Sequence, residues 1–435
     1  MQHIIKSVMT TLLLVLVPTV SFAHGDAGVA TEGGLLVGSK NSPYWFQVSG
    51  AMKLDQRVYF GDTDKTSLPI DPAGTYESGA YIRDLGLSLD GGIGQDFTYT
   101  LALNFKASDS KVSVDDAFVT YHGFKHLAPN FTFSVGQVIP GFCVSCATSS
   151  KWIPFMERSM GTNVFGPQQG LGVSANTYND HYSLTLAATQ QPKAGTSLKD
   201  PSGNTIRKHD LWQGSGRFTY YPISEAGKVL QVGLSAHIQE YSNTGVQFAA
   251  TPEMRSGNST TLLNTTTILN GNSKNNSQLI AAKNQKTIDI EMLGIHGPWS
   301  GELEYQKAFI ARGLTTTGVK QGKNLSFSGY HAQVSYVLTG ETRPHKKSNG
   351  TLGQIKPHSK KGAWEVSGRY SFITLNDKDV SGGMAHNTAA SLSWYANNNI
   401  RVIGEYVFSK QSRQFATYLD KRNVNSVGAR LQVVF

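Results

Sequence analysis

Apolar and polar side chains alternate with a period of two through most of this chain. Across residues 44–60, Phe46, Val48, Met52 and Leu54 fall on one side, and Gln47, Ser49, Lys53, Asp55, Arg57 and Tyr59 on the other. A strand sends successive side chains to opposite faces, so this pattern predicts a sheet with one apolar and one polar face. It recurs near 80–90, 97–106, 112–122, 130–137, 168–178, 181–190, 210–221, 229–241, 287–296, a return strand through Leu303 and Tyr305, 326–338, 363–375, 387–396, 400–410 and 424–435. The expectation is an all-β chain of about sixteen antiparallel strands, an even number as in bacterial membrane barrels.

The connections sort by length. Gly91–Gly94, Asn179-Asp180, Gly297–Ser300 and Asn397–Asn399 are tight turns, whereas 61–79, 139–167, 191–209 and 242–285 are long. With the N-terminus periplasmic, all these tight turns fall on the periplasmic side and all these long connections outside, as in transmembrane barrels. Segment 139–167 is aperiodic yet holds Trp152, Phe155, Met156 and Phe165, which need something to pack against. It is predicted to fold into the lumen and narrow a pore. Segment 242–285 is rich in Asn, Ser and Thr and reads as a long exposed loop. The exception to the length rule is 339–362, long but periplasmic by count. It holds Arg343, Lys346, Lys347, Lys356, Lys360 and Lys361, with His345 and His358, against Glu341 alone. A cluster of one sign repels itself, and it reads either as an exit ramp for anions or as a solvated turn.

The two ends change the picture from a sheet to a membrane protein. Lys6, the apolar stretch from Val8 to Val20 and the small-residue site Ser21-Phe22-Ala23 make residues 1–23 a secretory leader, with cleavage expected after Ala23. Residues 24–43 are Gly-rich and aperiodic, a periplasmic arm ahead of a barrel domain over 44–435. The last strand alternates through Val427, Ala429, Leu431 and Val433 to a terminal Phe435, as last strands of outer-membrane barrels do. No second apolar run approaches the length of a spanning helix. The location expected is the bacterial outer membrane, with lipid and lipopolysaccharide as surroundings. Formal charge is +9, and removal of the leader, whose one charged residue is Lys6, leaves +8. Fixed positive charge in a pore favours small anions, while the same excess on the surface would answer to anionic lipopolysaccharide.

Several stretches resemble the phosphate-selective porin O and P family. Val114–Val119 (VDDAFV) looks like a strand signature of that family. Val135–Pro140 (VGQVIP) and Ser149–Ser159 are similar to the entry of its third loop. His296–Trp299 (HGPW), Glu304-Tyr305, Leu338–Arg343 (LTGETR), Gly362–Glu365 (GAWE), Arg369–Ser371, Ser393–Tyr395 and Glu405–Val407 follow in the family's order. The resemblance implies a sixteen-stranded barrel, a homotrimer and passage of phosphate or related anions. It further implies that 139–167, 242–285 and 339–362 fold into the lumen. The family's dense ladder of arginines does not map onto this chain residue by residue.

By alternation the cations facing the lumen are Lys53, Arg57, Lys106, Arg217, Arg369, Arg401 and Arg430, with Lys151 and Arg158 on the constricting loop. A cation on the lipid face at mid-membrane would cost about 2–4 kcal/mol, which argues for the inward placement. Each is a candidate for the anion path, because guanidinium forks and ammonium points suit phosphate oxygens. Each is equally a candidate partner for lumen carboxylates such as Asp55, Glu365 and Glu405, and Glu157 is placed to anchor the loop to a wall arginine. Cys143 and Cys146 read as a local disulfide pinning the loop, with two free thiols as the competing reading. His181, His237 and His331 accompany no nucleophile motif, and the sequence shows no phosphate-cradling Gly loop and no dense metal-ligand cluster. Neither a cofactor, a metal nor a nucleic-acid partner is expected, and the chain is read as a channel rather than an enzyme. The alternatives are a non-selective porin, or an adhesin if 242–285 stands outward.

Overall fold

The computed structural model describes residues 34–63, 76–106, 111–124, 126–191, 198–200, 202, 204–206, 211–255, 262–265, 279–414 and 419–435. The leader expected over 1–23, part of the arm expected over 24–43 and part of 242–285 lie outside these residues. Sixteen long strands form the wall. They are β1 (Tyr44–Gly61), β2 (Gly79–Ile93), β3 (Phe97–Lys106), β4 (Lys111–Tyr121), β5 (Thr132–Val138), β6 (Gly170–Tyr178), β7 (Tyr182–Gln191) and β8 (Leu211–Glu225). The second half holds β9 (Lys228–Val246), β10 (Ile280–His296), β11 (Trp299–Arg312), β12 (Leu325–Val337), β13 (Ala363–Asp377), β14 (Val380–Tyr395), β15 (Ile400–Gln414) and β16 (Leu419–Val434).

Each strand pairs antiparallel with its chain neighbour, and β16 returns to β1 in the register Ala51↔Val434 to Gly61↔Val424. The sheet therefore closes, leaving the wall with no unpaired backbone edge to bury in hydrocarbon. No described helix is long and apolar enough to cross a membrane. The outward positions are apolar: Val58, Phe218, Ile290, Leu303, Tyr330, Val366, Tyr406 and Val427 are exposed while their neighbours in sequence are buried.

Strand number and topology agree with the sequence pattern, and the boundaries move. Strands β9 and β10 extend the fifth outer connection's flanks, which shortens that connection to 247–279. Strand β8 runs through Pro222, where the register to β9 slips between Tyr220 and Ile223. A bulge leaves a residue without a ladder bond, so Pro is tolerated there.

The lumen is not hollow. Phe142, Val144, Phe155, Met156, Met160 and Phe165 of the third outer loop, Phe248, Met254 and Leu263 of the fifth, and Leu352 and Ile355 of the 339–362 turn are all buried. Phe155, Met160, Phe165, Phe248, Met254 and Leu263 join wall residues such as Ile310, Phe327, Ile373 and Val407 in one internal core, while Val144 and Leu352 pack with Leu293 and Ile295, and Ile355 with Val337 and Tyr395. The described parts of all three segments fold inward, as the family resemblance implies. The 242–285 reading as an exposed loop does not hold for its described part, whose inward packing counts against the adhesin alternative. Gly428 of β16 makes room for this packing: a Cβ there would lie 2.9 Å from Met254 Sδ and 3.1 Å from Met156 Sδ.

Candidate channel constriction

Residues 151–157 of the third loop have no regular structure, so their backbone carbonyls need donors from elsewhere. The wall supplies them in chain order. Gln432 Nε2 donates to Lys151 O at 3.0 Å and Arg343 Nη1 to Trp152 O at 2.7 Å. Arg401 donates to Ile153 O at 2.8 Å and Pro154 O at 3.1 Å. Arg430 donates to Met156 O, and Arg369 Nη1 to Glu157 O at 2.9 Å. Four arginines and a glutamine thus hold the loop by its main chain.

The Glu157 carboxylate fixes the same segment by its side chain. It accepts from Arg83 Nε and Nη2 at 2.6 and 2.9 Å, from Arg430 at 3.1 Å and from Arg57 at 3.4 Å. Burial alone would raise its pKa. Arg83, by charge and hydrogen bond, followed by Arg430 and Arg57, outweighs that and holds the group well below the usual carboxylate range. Asp55 completes the network, bound to Arg430 at 2.7 and 2.8 Å and to Arg57.

The other anchors follow the same logic. Glu253 of the fifth loop takes Arg369 at 2.6 and 3.1 Å and also accepts from Met160 N at 3.1 Å, which locks the two loops together. Arg217 pairs with Glu291 at 2.7 Å and donates to Gly350 O at 2.9 Å and to Asn349 O, holding the 339–362 turn. Arg343 pairs with Glu365. Arg158 stays within the loop, donating to Ser145 O and Thr148 O, both at 2.7 Å. A disulfide joins Cys143 and Cys146 around α1 (Val144–Ala147), as expected.

Of the cations that alternation assigns to the lumen, five serve the loops. Arg57, Arg217, Arg369, Arg401 and Arg430 point inward but are at most 5% exposed, covered by the loops they hold. Lys53 is likewise buried, bound to Asp84 at 3.1 Å and Ser150 at 2.7 Å. The Lys106 side chain lies outside the described residues. Of the basic turn, Arg343 is buried, Lys347 reaches Asp180 at 2.7 Å at the surface, and Lys346, Lys356, Lys360 and Lys361 are exposed, Lys346 within electrostatic reach of Lys151.

Water-facing surface is confined to one side of the barrel. Along β2–β7 most described lumen residues are half-buried, among them Arg83, Asp84, Asp90, Thr100, Asp115, Asp116 and Asn176, whereas those of β8–β16 are mostly buried. Across this gap stands Lys151. It is half-buried, it lies 5.8 Å from the centre of the Trp152 ring, and it takes part in no ion pair among the described residues. Its pKa is lowered by burial and then by nearby Lys346, with Asp90 and Asp84 acting in the opposite direction.

Arg83 was missed by sequence pattern for a definite reason. The β1–β2 register slips so that Lys53 pairs Asp84 while Leu54 pairs Ile82, leaving Arg83 as an extra residue. A strict alternation with Leu85 and Leu87 would put Arg83 in lipid; the bulge turns it inward. The register also assembles a cluster the linear sequence conceals: Glu302, Glu304 and His331 each offer a ligand atom, all within 4.8 Å of one another.

Comparison with known proteins agrees with this architecture. The family model for phosphate-selective porin O and P matches residues 53–435. Porin O of Pseudomonas aeruginosa is 27% identical over 420 residues, covering 91% of this chain and 90% of that protein. Among solved structures, an anion-selective porin from Comamonas acidovorans superposes with a TM-score of 0.53 at 11% identity, covering 90% of this chain and all of that one. OmpT of Vibrio cholerae in its trimer form gives 0.52 at 8%, with 91% and 100% coverage.

Proposed function

Because the chain belongs to the phosphate-selective porin O and P family and is an outer-membrane porin, we propose that its lumen passes small inorganic anions in preference to cations, phosphate among them. The carrying observation is Lys151. It is the loop cation that faces the open side of the lumen without an ion pair, and Lys346 lies near enough to add its field. A channel site must attract an ion yet release it, and two ammonium groups beside an aqueous gap meet that requirement better than arginines sealed under a loop. The buried arginines act on this reading as clamps that set where Lys151 stands.

Single-channel recording in a salt gradient, with and without phosphate, tests the proposal. Anion-selective reversal with chloride current reduced by phosphate is the expected result. Lys151→Ala is expected to move the reversal potential toward zero and weaken the phosphate effect by about tenfold, the factor that corresponds to ~1.4 kcal/mol. Cation-selective or unselective current in the unaltered protein would overturn it. A general porin is the second reading, favoured by Asp84 and Asp90, which face the same gap with the opposite sign. The same proposal takes in a leader over 1–23 cleaved after Ala23, an arm over 24–43, a barrel domain over 44–435, contact with lipid and lipopolysaccharide, and a homotrimer, for which the trimeric form of the Vibrio cholerae neighbour is a precedent.

A further inference from the structure

Opposite the arginine-rich wall, the third loop rests on a patch of acids. Asp289, Glu291, Glu302 and Glu304 lie on the lumen face of β10 and β11, none more than 3% exposed. Glu291 and Glu304 are direct cross-strand partners, and Glu304 also feels the negative charge of Asp289 and Glu302. Like charges facing each other across a ladder oppose sheet formation, and burial removes the water that would screen them.

The positive charges nearby do not balance this patch. Arg217 serves Glu291 at 2.7 Å. Arg158 adds a second positive charge beside Glu302 and Glu304. His331 Nε2 lies 2.9 Å from Glu302 Oε1, but a histidine that binds a metal does so as neutral imidazole and contributes no charge. Two guanidiniums against four carboxylates leave two negative charges uncompensated. Glu304 Oε1 accepts from Ser145 N at 2.7 Å, and its Oε2 has Thr162 Oγ1 at 3.4 Å and His331 Nδ1 at 3.8 Å. Asp289 is fully buried and neither of its carboxylate oxygens has a hydrogen-bond partner. Gln306, directly across the ladder, interacts with it without reaching hydrogen-bond geometry. One Asp289 oxygen nevertheless lies within 4.8 Å of a Glu304 oxygen, so the unpartnered carboxylate flanks Glu304. The two uncompensated negative charges match the charge of one divalent ion.

We infer that Glu302, Glu304 and His331 form a divalent transition-metal site on β11 and β12 beneath the third loop, with Asp289 beside Glu304 as a further negative charge. A donor set of carboxylate oxygens with one imidazole nitrogen suits Mn²⁺ or Zn²⁺, whereas Ca²⁺ takes oxygen ligands alone. The Ser145 hydroxyl, bonded to Glu302 Oε1 and 3.4 Å from His331 Nε2, closes the site from the loop side. Ser159 Oγ, 3.3 Å from His331 Nδ1, lies on its other flank, ahead of α2 (Met160–Phe165). Cys143 Sγ also approaches Asp289 and Glu304, but the disulfide denies it a thiolate. This site stands apart from Lys151 and does not depend on anion selectivity.

The test uses the folded, detergent-purified porin, stripped with a chelator and then given Mn²⁺ or Zn²⁺. Elemental analysis after gel filtration is expected to find one ion per chain, and the unfolding temperature is expected to rise with metal concentration. Glu304→Gln and His331→Gln are each expected to weaken binding by about tenfold or more, the loss typical when a ligand shell is damaged. Folding of the variants is checked by heat-modified mobility on gels. If a variant fails to fold, the unaltered protein still decides the matter. A stripped porin that takes up no metal, and whose unfolding temperature ignores both ions at micromolar concentration, overturns the proposal. Protons would then be what neutralises the patch.

Discussion

At the scale of the residue, Glu157 is the side chain on which most depends. Three arginines converge on its carboxylate, and two of them are also held by Asp55. Removing one partner of a buried ionic network leaves the others uncompensated, which costs about 3–5 kcal/mol. Glu157→Gln is therefore expected to free the loop tip and raise single-channel conductance, with more current noise. Unaltered conductance and noise would sink that account. The pH dependence has a fixed sign. A carboxylate whose folded pKa is depressed stabilises docking in full above the undocked value, about 4.3, and loses it as pH falls through the folded value. With the folded value far below that range, the loop should remain docked from pH 7 down to about 4. Conductance that opens near pH 5 in the unaltered protein would contradict this.

At the scale of the element, the inward-folded turn over 339–362 shows both what a linear pattern reveals and what it hides. Its excess of basic residues is plain in sequence, and the exposed lysines behave as that suggests. His345 does not: its Nε2 is 2.8 Å from Gln231 Oε1, its ring packs edge-on to Tyr221, and burial, then Arg217 and Lys347, pushes its pKa down to about 4. An undocked turn would bind a proton near pH 6.5, so docking is complete above that value and weakens as pH falls toward about 4. Hydrogen exchange at Gly350 and Thr351 should speed up across this window and become insensitive to it in His345→Gln; protection that ignores pH would refute the assignment. Strand period and turn parity depend on local sequence, and so the barrel was legible. The partners of the cations depend on which loop covers them. Alternation put Arg369 and Arg401 in the lumen but carried no information about the carbonyls of 151–157. The bulge at Arg83 reversed a face that period two assigns to lipid.

At the scale of the whole molecule, the barrel is divided lengthwise. Strands β8–β16, with β1, hold the loops and most of the arginines, Arg83 of β2 marks the boundary, and β2–β7 leave most of their described lumen residues half open. Selectivity should then respond to charges on the open side and ignore those under the loops. Asp90 is the sharpest probe. Its carboxylate accepts from Thr100 Oγ1 at 2.7 Å and Ser88 Oγ at 3.1 Å, and its field reaches Lys151. Asp90→Asn keeps an acceptor for those hydroxyls and removes one negative charge from the aqueous gap. It is expected to shift the reversal potential toward anions with conductance little changed. Arg369→Gln, in contrast, removes a positive charge sealed between Glu253 and the Glu157 carbonyl, so it should alter loop stability and conductance with little effect on the sign of selectivity. If Arg369→Gln moved the reversal potential more than Asp90→Asn, the permeation path would have to pass beneath the third loop, and the division of the lumen argued from burial would be wrong.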